Sequence, residues 1–369
     1  MQQFQIRKDN FLTQRLVDAT PAAKLDDGQI RLAIDAFSFT ANNITYAAAG
    51  DQLGYWQFFP PLGEQSEGWG VIPVWGFADV IESRCSEIAT GERLFGYFPP
   101  AHEVTMQPTR ISAQHLVDGS AHRAALPAGY NSYSRVHNEP GYKPATEPER
   151  MLLWPLHITS FCIWDSLQDS QWHDAKQVII LSASSKTSIG LGYAMFKDDQ
   201  APATIGVTSA RNSELVQQLG IYDSVVGYEQ LQDIDPSVPT MIVDMSGNAS
   251  MLNALHAHLG DHLRYCLRVG LTHWDETQTR LTVGSDRSSF FFAPGHIQKR
   301  MKDWGPQGFA ERSQQFLRDA AAWSRRWLKT REVNGLQGLA EVYPAVCKGQ
   351  LAADEGVIVT LGAATQKSN

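Results

Sequence analysis

A serine-rich loop lies between a predicted strand and a predicted helix and carries groups that could hold a phosphate. The apolar run 178–181 predicts a short strand, the apolar spacing of 189–196 predicts a helix, and the polar stretch 182–188 joins them. A helix N-terminus attracts anions because its unsatisfied N–H groups and its dipole face the ligand. We therefore predict that this loop binds the phosphates of a dinucleotide. The candidate donors are Ser184, Ser185, Lys186 and Thr187.

The loop lacks the glycines that usually mark a dinucleotide site. No GxGxxG pattern is present, and the first glycine after the strand is Gly190. Those glycines let the backbone approach a pyrophosphate closely. Two interpretations stay open: hydroxyl groups and the Lys186 ammonium replace the glycine backbone, or the segment is a solvated loop with a helix cap. We favour phosphate binding because the loop joins the first strand and first helix of the predicted sheet, where such folds bind ligands.

The end of the second predicted strand, 204–208, indicates which dinucleotide would bind. An NAD site usually carries Asp or Glu about 20 residues beyond the glycine-rich turn, where it accepts hydrogen bonds from the ribose 2′-hydroxyl. Here Ser209 and Arg211 follow the strand, and no carboxylate precedes Glu214. An arginine can bind a 2′-phosphate through two parallel hydrogen bonds. NADPH is therefore predicted as the cofactor. The alternative interpretation of Arg211 is a surface arginine near the start of a helix.

Other catalytic chemistries find little support in the sequence. His256, His258 and His262 lie close together, but no Cys or ordered carboxylate pair accompanies them, so a solvated helix explains them better than a metal site. The four cysteines are far apart and form no CxxC pair, which argues against a disulfide framework and against a cysteine-rich zinc site. No G-x-S-x-G elbow predicts a serine hydrolase.

Composition narrows the class of protein further. With 369 residues, 43% of them hydrophobic and 19% charged, the chain is long enough for two globular domains. A net charge of −8 and the lack of a Lys/Arg block argue against a nucleic-acid partner. We also expect no membrane partner, because no stretch reaches the roughly 18 apolar residues of a membrane span and residues 1–10 are polar. The expected location is the cytoplasm.

Two regions with different secondary-structure patterns position these residues. From 177 onward, strand candidates alternate with helical segments, which predicts an α/β fold with a doubly wound parallel sheet. From 29 to 107, short β-like runs are broken by Gly, Pro and Asn, which predicts a β-rich domain. The stretch 127–149 predicts an irregular excursion, 307–331 a long amphipathic helix and 357–361 a last strand.

The order of these parts resembles the medium-chain dehydrogenase/reductase superfamily. The segment 79–98, with Val80, Ile81, Glu82 and then Gly91, Glu92 and Arg93, is similar to a strand followed by the family's Gly-Asp-Arg-Val turn. The segment 212–228, which reaches Leu219 and Gly220 and closes on Tyr228, is similar to the family's helix and following strand end. Within the superfamily the chain looks nearest to the zinc-free quinone oxidoreductases and enoyl reductases. Residues 182–187 look like those of an uncharacterised bacterial family of unknown function.

The resemblance implies a fold, a domain order and several site residues. It implies a GroES-like β-rich catalytic domain at 1–155, a Rossmann NADP-binding domain at 156–330, and a return to the first domain at 331–369. Thr159, which resembles part of the Thr-Ala opening the helix before the cofactor domain, and Tyr228 join the cofactor candidates. The segment 40–46 lies where zinc-free relatives keep an Asn or Asp and a Tyr, so Tyr46 is the candidate acid or hydrogen-bond donor and Asn43 the candidate orienting group. An Asn-rich turn with a packed tyrosine is the alternative.

Zinc ligands of the metal-dependent relatives are missing. The early region reads Phe37-Ser38-Phe39-Thr40, and no His-Glu pair occurs around 75–77. Because catalytic zinc needs three protein ligands, we predict no metal.

Fold logic nominates further residues, since the carboxyl ends of parallel strands line the ligand crevice. These further cofactor-binding candidates are Ser246, Thr272, His273 and Phe292. Tyr130, Asn131 and Tyr133 could form a lid or substrate wall, although a packed loop explains them better.

The sequence thus predicts an NADPH-dependent, zinc-independent oxidoreductase that transfers hydride to a small carbonyl, enone or quinone compound. The alternative is a non-catalytic dinucleotide-binding or scaffold protein with a degenerate cofactor loop. The resemblance also allows a homodimer.

Overall fold

The structure, a computed structural model, describes residues 1–18, 24–269 and 286–362. These residues belong to two units. The β-rich unit comprises Met1–Leu152 and Leu328–Asn369, and the parallel-sheet unit comprises Leu153–Trp327.

Strands dominate the first part of the β-rich unit, where glycines and prolines interrupt the apolar runs before a helical period can develop. The strand β3 (Ile30–Phe39) is buried along almost its whole length within the sheet. The elements are β1 (Gln2–Arg7), β2 (Gln14–Asp18), β3 (Ile30–Phe39), helix α1 (Ala41–Ala48), β4 (Trp69–Gly70), β5 (Val74–Ser83), β6 (Arg93–Phe98), β7 (Glu103–Met106), β8 (Pro108–Thr109), β9 (His115–Asp118) and β10 (Ser132–Arg135).

The parallel-sheet unit alternates strands and helices. A long helix, α2 (Glu147–Asp169), crosses the boundary between the units and precedes the first strand of the sheet. The elements that follow it are β11 (Gln177–Leu181), α3 (Lys186–Phe196), β12 (Ala203–Thr208), α4 (Ala210–Leu219), β13 (Ser224–Gly227), β14 (Thr240–Asp244), α5 (Ala249–Leu259), β15 (Leu263–Arg268), β16 (Ser288–Phe290) and α6 (Ala293–Ser324).

The sheet of this unit has the strand order β13-β12-β11-β14-β15-β16, and every neighbouring pair is parallel. This is the order of dinucleotide-binding folds, in which the chain reverses direction across the sheet after the third strand. Strands β11 and β14 are buried throughout, as expected of central strands covered by helices on both faces. The carboxyl ends of β11 and β14 are therefore the place where this fold binds ligands.

The chain then returns to the β-rich unit through β17 (Lys329–Asn334), α7 (Gly335–Cys347) and β18 (Glu355–Thr360). Strand β18 pairs in parallel with β17 and antiparallel with β3, so the C-terminal segment completes the main sheet of that unit. That sheet has the order β17-β18-β3-β5-β6-β10-β9-β8, with β7 also paired to β3, and a smaller sheet has the order β2-β1-β4. The short 3-10 helices are Tyr55–Gln57, Ala121–Arg123, Ala128–Asn131, Val136–Asn138, Pro144–Thr146, Gln171–Asp174, Tyr228–Asp233 and Gly260–His262.

The predicted α/β class is confirmed, and several local predictions are wrong. Residues 132–135 form β10 within the main sheet, although turn formers on both sides predicted an irregular excursion. The predicted helix 307–331 corresponds to the part of α6 that follows a kink at Gly305, whose φ of 72° and ψ of 164° are not helical, but this helix ends at Ser324 instead of residue 331. Residues 41–48 are helical as α1, in a region where the sequence favoured strands and turns.

Candidate cofactor loop and tyrosine cluster

The serine-rich loop turns sharply after β11. Ser182 has a left-handed φ of 58°, which lets the chain reverse at the end of the strand. Ser185 caps α3, and its hydroxyl oxygen accepts a hydrogen bond from the Ser188 amide at 3.2 Å. The first turn of a helix has further N–H groups without intrahelical acceptors, so the start of α3 can accept an anion. Three predicted donors, Ser185, Lys186 and Thr187, stand at this turn.

A tyrosine that the sequence analysis did not select holds this loop in place. The Tyr222 hydroxyl lies 3.0 Å from both the Ala183 and the Ser188 carbonyl oxygens, and burial raises the pKa of this phenol. Its ring fits against two glycines: a Cβ on Gly192 or on Gly206 would lie 2.9 to 3.0 Å from ring atoms. Gly192 lies within the helix α3 and Gly206 within the strand β12, where glycine is unfavourable. A glycine in each element was the sequence signal for a large side chain packed between them.

Gly190 allows α3 to pack closely against α2, because it has no side chain. A Cβ at this position would lie 2.5 Å from the Ser160 Oγ and 2.7 Å from the His157 Cδ2. The Ser160 hydroxyl donates to the Thr187 carbonyl oxygen at 2.8 Å, which ties α2 to the loop. Thr159, a predicted cofactor residue, is half-buried on α2, and its hydroxyl faces the Pro155 carbonyl oxygen at 3.4 Å.

A second loop, between β12 and α4, is joined to the first by Asn212. The Asn212 amide nitrogen donates to the Ser184 Oγ at 3.0 Å, and Ser184 is buried. Because this bond uses the Ser184 oxygen as an acceptor, the Ser184 hydroxyl proton stays available for a ligand oxygen. Ser209 is the N-cap residue of α4 without a capping bond from its side chain, and Arg211 is exposed in the first helical turn. The structure therefore brings Ser184, Ser209 and Arg211 to the carboxyl ends of two adjacent strands.

The remaining predicted cofactor residues occupy neighbouring strand ends. Tyr228 follows β13; burial raises the pKa of its phenol, and hydrogen bonds from Ser182 oppose that rise. Ser246 follows β14, and its hydroxyl donates to the Asp244 carboxylate at 2.6 Å. Phe292 is 40% exposed and precedes α6. Thr272 and His273 lie outside the described residues.

The residues of this unit fit the chemistry of NADPH. Ser184 offers a hydroxyl proton, α3 offers its N-terminus, and Gly190 lets α3 approach the helix α2 closely. The described strand ends place no carboxylate between Thr208 and Asn212, where an NAD site would carry one. Arg211 supplies a cation at the same strand end.

The β-rich unit contains the predicted catalytic candidate, Tyr46, within a cluster of aromatic side chains. Tyr46 lies on α1 and is 5% exposed. Its hydroxyl oxygen accepts a hydrogen bond from the Trp75 indole nitrogen at 3.1 Å, and burial raises its pKa. Its ring centroid lies 4.8 Å from that of Tyr55 and 5.5 Å from that of Tyr97.

Asn43 is buried near the start of α1 and helps to fix that helix. Its side-chain oxygen accepts from the Thr40 amide at 2.8 Å in a capping box, and its nitrogen donates to the Pro73 carbonyl oxygen at 2.9 Å. Thr40 completes the box by accepting from the Asn42 amide. The sequence 40–43 therefore starts the helix that carries Tyr46.

The lid candidates have separate positions in this unit. Tyr133 is fully buried and donates to the Tyr97 carbonyl oxygen at 2.6 Å, and Asn131 is buried and donates to the Arg123 carbonyl oxygen. Tyr130 is half-buried, and its hydroxyl lies 3.0 Å from that of Tyr55.

Within the described ranges, no group of three or more His, Cys, Asp or Glu side chains is arranged to hold a metal ion. His258 bonds to the Ile234 carbonyl oxygen at 2.7 Å, as a structural residue does. Among the helices that the structure describes, none is both long and apolar enough to span a membrane.

Comparison with known proteins supplies a family and a set of similar folds. The model of a family described as "Protein of unknown function (DUF2855)" matches residues 37–352. No curated protein matches the chain.

Similar solved structures cover nearly the whole chain. One is CurA from Vibrio vulnificus in complex with NADPH, with a TM-score of 0.63 and 12% identity over 98% of this chain and 100% of that one. Another is an alcohol dehydrogenase superfamily protein from Novosphingobium aromaticivorans, with a TM-score of 0.54 and 15% identity over 96% and 97% of the two chains. The yhdH oxidoreductase from Salmonella enterica in complex with NADP has a TM-score of 0.54 and 11% identity over 98% and 100%. At these identities the likeness shows the fold, which is that of the medium-chain dehydrogenase/reductases, as the resemblance predicted.

Proposed function

We propose that this chain, which belongs to the DUF2855 family of proteins of unknown function, is an NADPH-dependent oxidoreductase. The observation that carries the proposal is the pairing of a phosphate-accepting turn at Ser184 and α3 with Ser209 and Arg211 at the next strand end, joined by the Asn212 bond. Similar folds with NADPH or NADP bound, those of CurA and the yhdH oxidoreductase, support it. The substrate class is a carbonyl, enone or quinone compound.

Each part of the cofactor has proposed partners in the parallel-sheet unit. The pyrophosphate is held by the N-terminus of α3 with Ser184, Ser185, Lys186 and Thr187, and the 2′-phosphate by Ser209 and Arg211. The other proposed cofactor residues are Thr159, Tyr228, Ser246, Thr272, His273 and Phe292. When bound, the reduced nicotinamide supplies a hydride.

Tyr46 is the proposed hydrogen-bond donor to the substrate. A carbonyl or enone that accepts a hydride gains negative charge at its oxygen, and a positioned donor stabilises that charge. The Trp75 indole N–H can only donate, so the Tyr46 oxygen accepts from it and the Tyr46 proton remains for another acceptor. Because burial raises the Tyr46 pKa, the hydroxyl stays protonated at neutral pH. Asn43 supports this role by fixing α1 through its cap and through Pro73.

The test is turnover against a panel of enones, quinones and ketones, followed through the oxidation of NADPH. We expect at least one class to be reduced, with a rate that prior dialysis against a chelator leaves unchanged, because the proposed chemistry uses no zinc. Loss of turnover after chelation would contradict zinc independence. NADPH binding without turnover on any compound would favour the alternative, a non-catalytic dinucleotide-binding protein whose loop has departed from the glycine fingerprint.

A further inference from the structure

Four tyrosine rings of the β-rich unit meet around one point. Tyr97 and Tyr130 have ring centroids 4.8 Å apart, Tyr55 and Tyr130 are 5.5 Å apart, and Tyr46 lies between 4.8 and 6.2 Å from each of the other three. Trp75 and Phe58 pack against the same rings. These rings are in direct contact with one another, and aromatic faces with polar tips of this kind suit a conjugated ligand that carries an oxygen once one ring has moved aside.

The phenols have more protons to give than acceptors to receive them. Tyr46 already accepts from Trp75, which leaves its own proton for a different oxygen. Tyr55 and Tyr130 share one hydrogen bond, so one of their two protons is left over. The Tyr97 hydroxyl is buried, and no hydrogen-bond partner for it exists among the residues that the structure describes.

The unpaired Tyr97 hydroxyl is the sharpest of these observations. A buried hydroxyl without a hydrogen-bond partner destabilises the folded protein, so such a group calls for an explanation. Tyr97 is otherwise well anchored, since its carbonyl oxygen accepts from Tyr133 at 2.6 Å. A ligand oxygen that accepts from Tyr97 would satisfy the hydroxyl and explain its place in the cluster.

Tyr130 is the most exposed of the four phenols. Its ring is half-buried, whereas Tyr97 is fully buried and Tyr55 is 6% exposed. The Tyr130 carbonyl oxygen accepts from Arg123, a buried guanidinium that is paired with Asp118 at 2.7 Å. Because this contact anchors the backbone, the Tyr130 side chain can move by rotation alone, which breaks its bond to Tyr55.

We propose that Tyr46, Tyr55 and Tyr97 form a donor-only site for the oxygen of a conjugated carbonyl substrate, and that the Tyr130 ring covers this site until a ligand displaces it. The proposal rests on the proposed oxidoreductase function, narrows its substrate class to conjugated carbonyl compounds, and adds residues beyond Tyr46. The site favours an oxygen that carries negative charge, because hydrogen bonds to charged groups are the stronger ones. Burial and the neighbouring phenols raise the pKa of Tyr97, so it remains a donor.

The test uses 4-nitrophenol, whose charged and neutral forms differ in absorbance, and it needs neither NADPH nor turnover. We expect the protein to bind the phenolate form in preference to the neutral phenol and so to lower the apparent pKa of the probe. Tyr97→Phe should weaken phenolate binding by about 10-fold or more, the effect of one lost hydrogen bond to a charged group. Tyr130→Phe, which frees Tyr55 and keeps the covering ring, should bind the phenolate at least as tightly as the natural chain.

Tyr343→Phe is the matched control, because its buried hydroxyl donates to the Phe11 carbonyl oxygen at 2.7 Å outside the cluster. It should lower the urea midpoint and leave phenolate binding unchanged. Tyr97→Phe should keep or raise the urea midpoint, since it removes an unpaired buried hydroxyl. Equal phenolate binding by Tyr97→Phe and the natural chain, a preference for the neutral probe, or a clear fall in the Tyr97→Phe midpoint would overturn the proposal. A failure of NADPH binding would leave these results unaffected and would count against the proposed function alone.

Discussion

In the function that we propose, individual hydroxyl groups of the parallel-sheet unit perform tasks that glycine backbone performs in other dinucleotide sites. Ser185 caps α3, Ser184 keeps a proton for a ligand, and Tyr222 holds the loop by facing two of its carbonyl oxygens. A serine hydroxyl holds a phosphate less strongly than several backbone amides do together. A cation near the loop therefore contributes more to binding, because its hydrogen bonds to phosphate are charge-assisted. The charged residues of the two loops are therefore the first to test.

Arg211→Ala should weaken NADPH binding by about 1.5–3 kcal/mol, which is roughly 10- to 150-fold, and should leave NADH binding nearly unchanged. The reason is that only NADPH has the 2′-phosphate that we assign to Arg211. Lys186→Ala is the contrasting variant, because the pyrophosphate is common to both cofactors and both should bind more weakly. Calorimetric titration with each cofactor measures these effects. Equal weakening of the two cofactors by Arg211→Ala would place this residue outside the 2′-phosphate site.

Tyr46→Phe should lower turnover by about 10²- to 10⁴-fold, the range for loss of a general acid, while NADPH affinity and folding survive. The ring that packs against Tyr55 and Tyr97 is kept, and only the hydroxyl is lost. The pH profile gives a second readout. The donor must be protonated, and burial raises its pKa, so Tyr46 should cause no loss of rate with rising pH below about 10, the ordinary tyrosine value. Turnover within a few-fold of the natural chain would refute the role.

At the scale of elements, the position of α3 depends on the absence of a side chain at Gly190. A methyl group there would meet Ser160 and His157 of α2 at distances that real Cβ atoms do not tolerate. The helix α3 also follows directly on the loop that we propose to bind the pyrophosphate. Packing of α3 against α2 and the geometry of the anion site are consequently coupled.

Gly190→Ala should destabilise the protein and weaken NADPH binding. Overpacking costs about 1–3 kcal/mol, whereas the gain in helix propensity is at most about 1 kcal/mol, so the net effect on the free energy of unfolding is a loss. Gly295→Ala is the matched control, because this helical glycine of the same unit has its nearest neighbour atom at 3.8 Å. Urea unfolding of both variants measures the difference. If Gly190→Ala were as stable as Gly295→Ala, the close contact with α2 would lose its assigned role.

Local pattern predicted most elements of the parallel sheet. The apolar runs at 178–181, 204–208 and 241–243 lie in β11, β12 and β14, and Gly220 ends α4 with a left-handed φ of 63°. What the pattern could not predict depends on residues distant in sequence. Tyr222 reaches a loop 34 to 39 residues earlier, and Asn212 bonds to Ser184 across 28 residues. The helix α1 was missed because its 8 residues are too few to show a helical period, although Thr40 and Asn43 form a local capping box at its start.

The candidate site was predicted unevenly for the same reason. Ser184 and Arg211 could be selected because strand ends are readable from sequence and the fold brings adjacent strand ends together. The tyrosine cluster could not, since Tyr46, Tyr55, Tyr97 and Tyr130 come from four separate elements. Of these, only Tyr46 and Tyr130 attracted attention in the sequence, and their proximity to Tyr97 is visible only in the folded unit.

At the scale of the whole molecule, His157 should make stability depend on pH. Burial lowers its pKa in the folded protein to about 4, against about 6.5 when unfolded. The unfolded chain therefore binds more protons between these values, so stability is fully present above pH 6.5 and is lost, by up to about 3 kcal/mol, as the pH falls toward 4. The urea midpoint at pH 7 and pH 5 measures this loss, which should be smaller in His157→Leu. Identical pH dependence in both proteins would show that His157 does not contribute.

The claim that the molecule is an NADPH-dependent oxidoreductase is tested most directly by calorimetric titration of the natural chain with NADPH and, separately, with NADH. The account predicts saturable binding of NADPH, tighter than that of NADH by about 10-fold or more, because Ser209 and Arg211 add contacts to the 2′-phosphate. Absence of saturable NADPH binding, or equal affinity for the two cofactors, would contradict it.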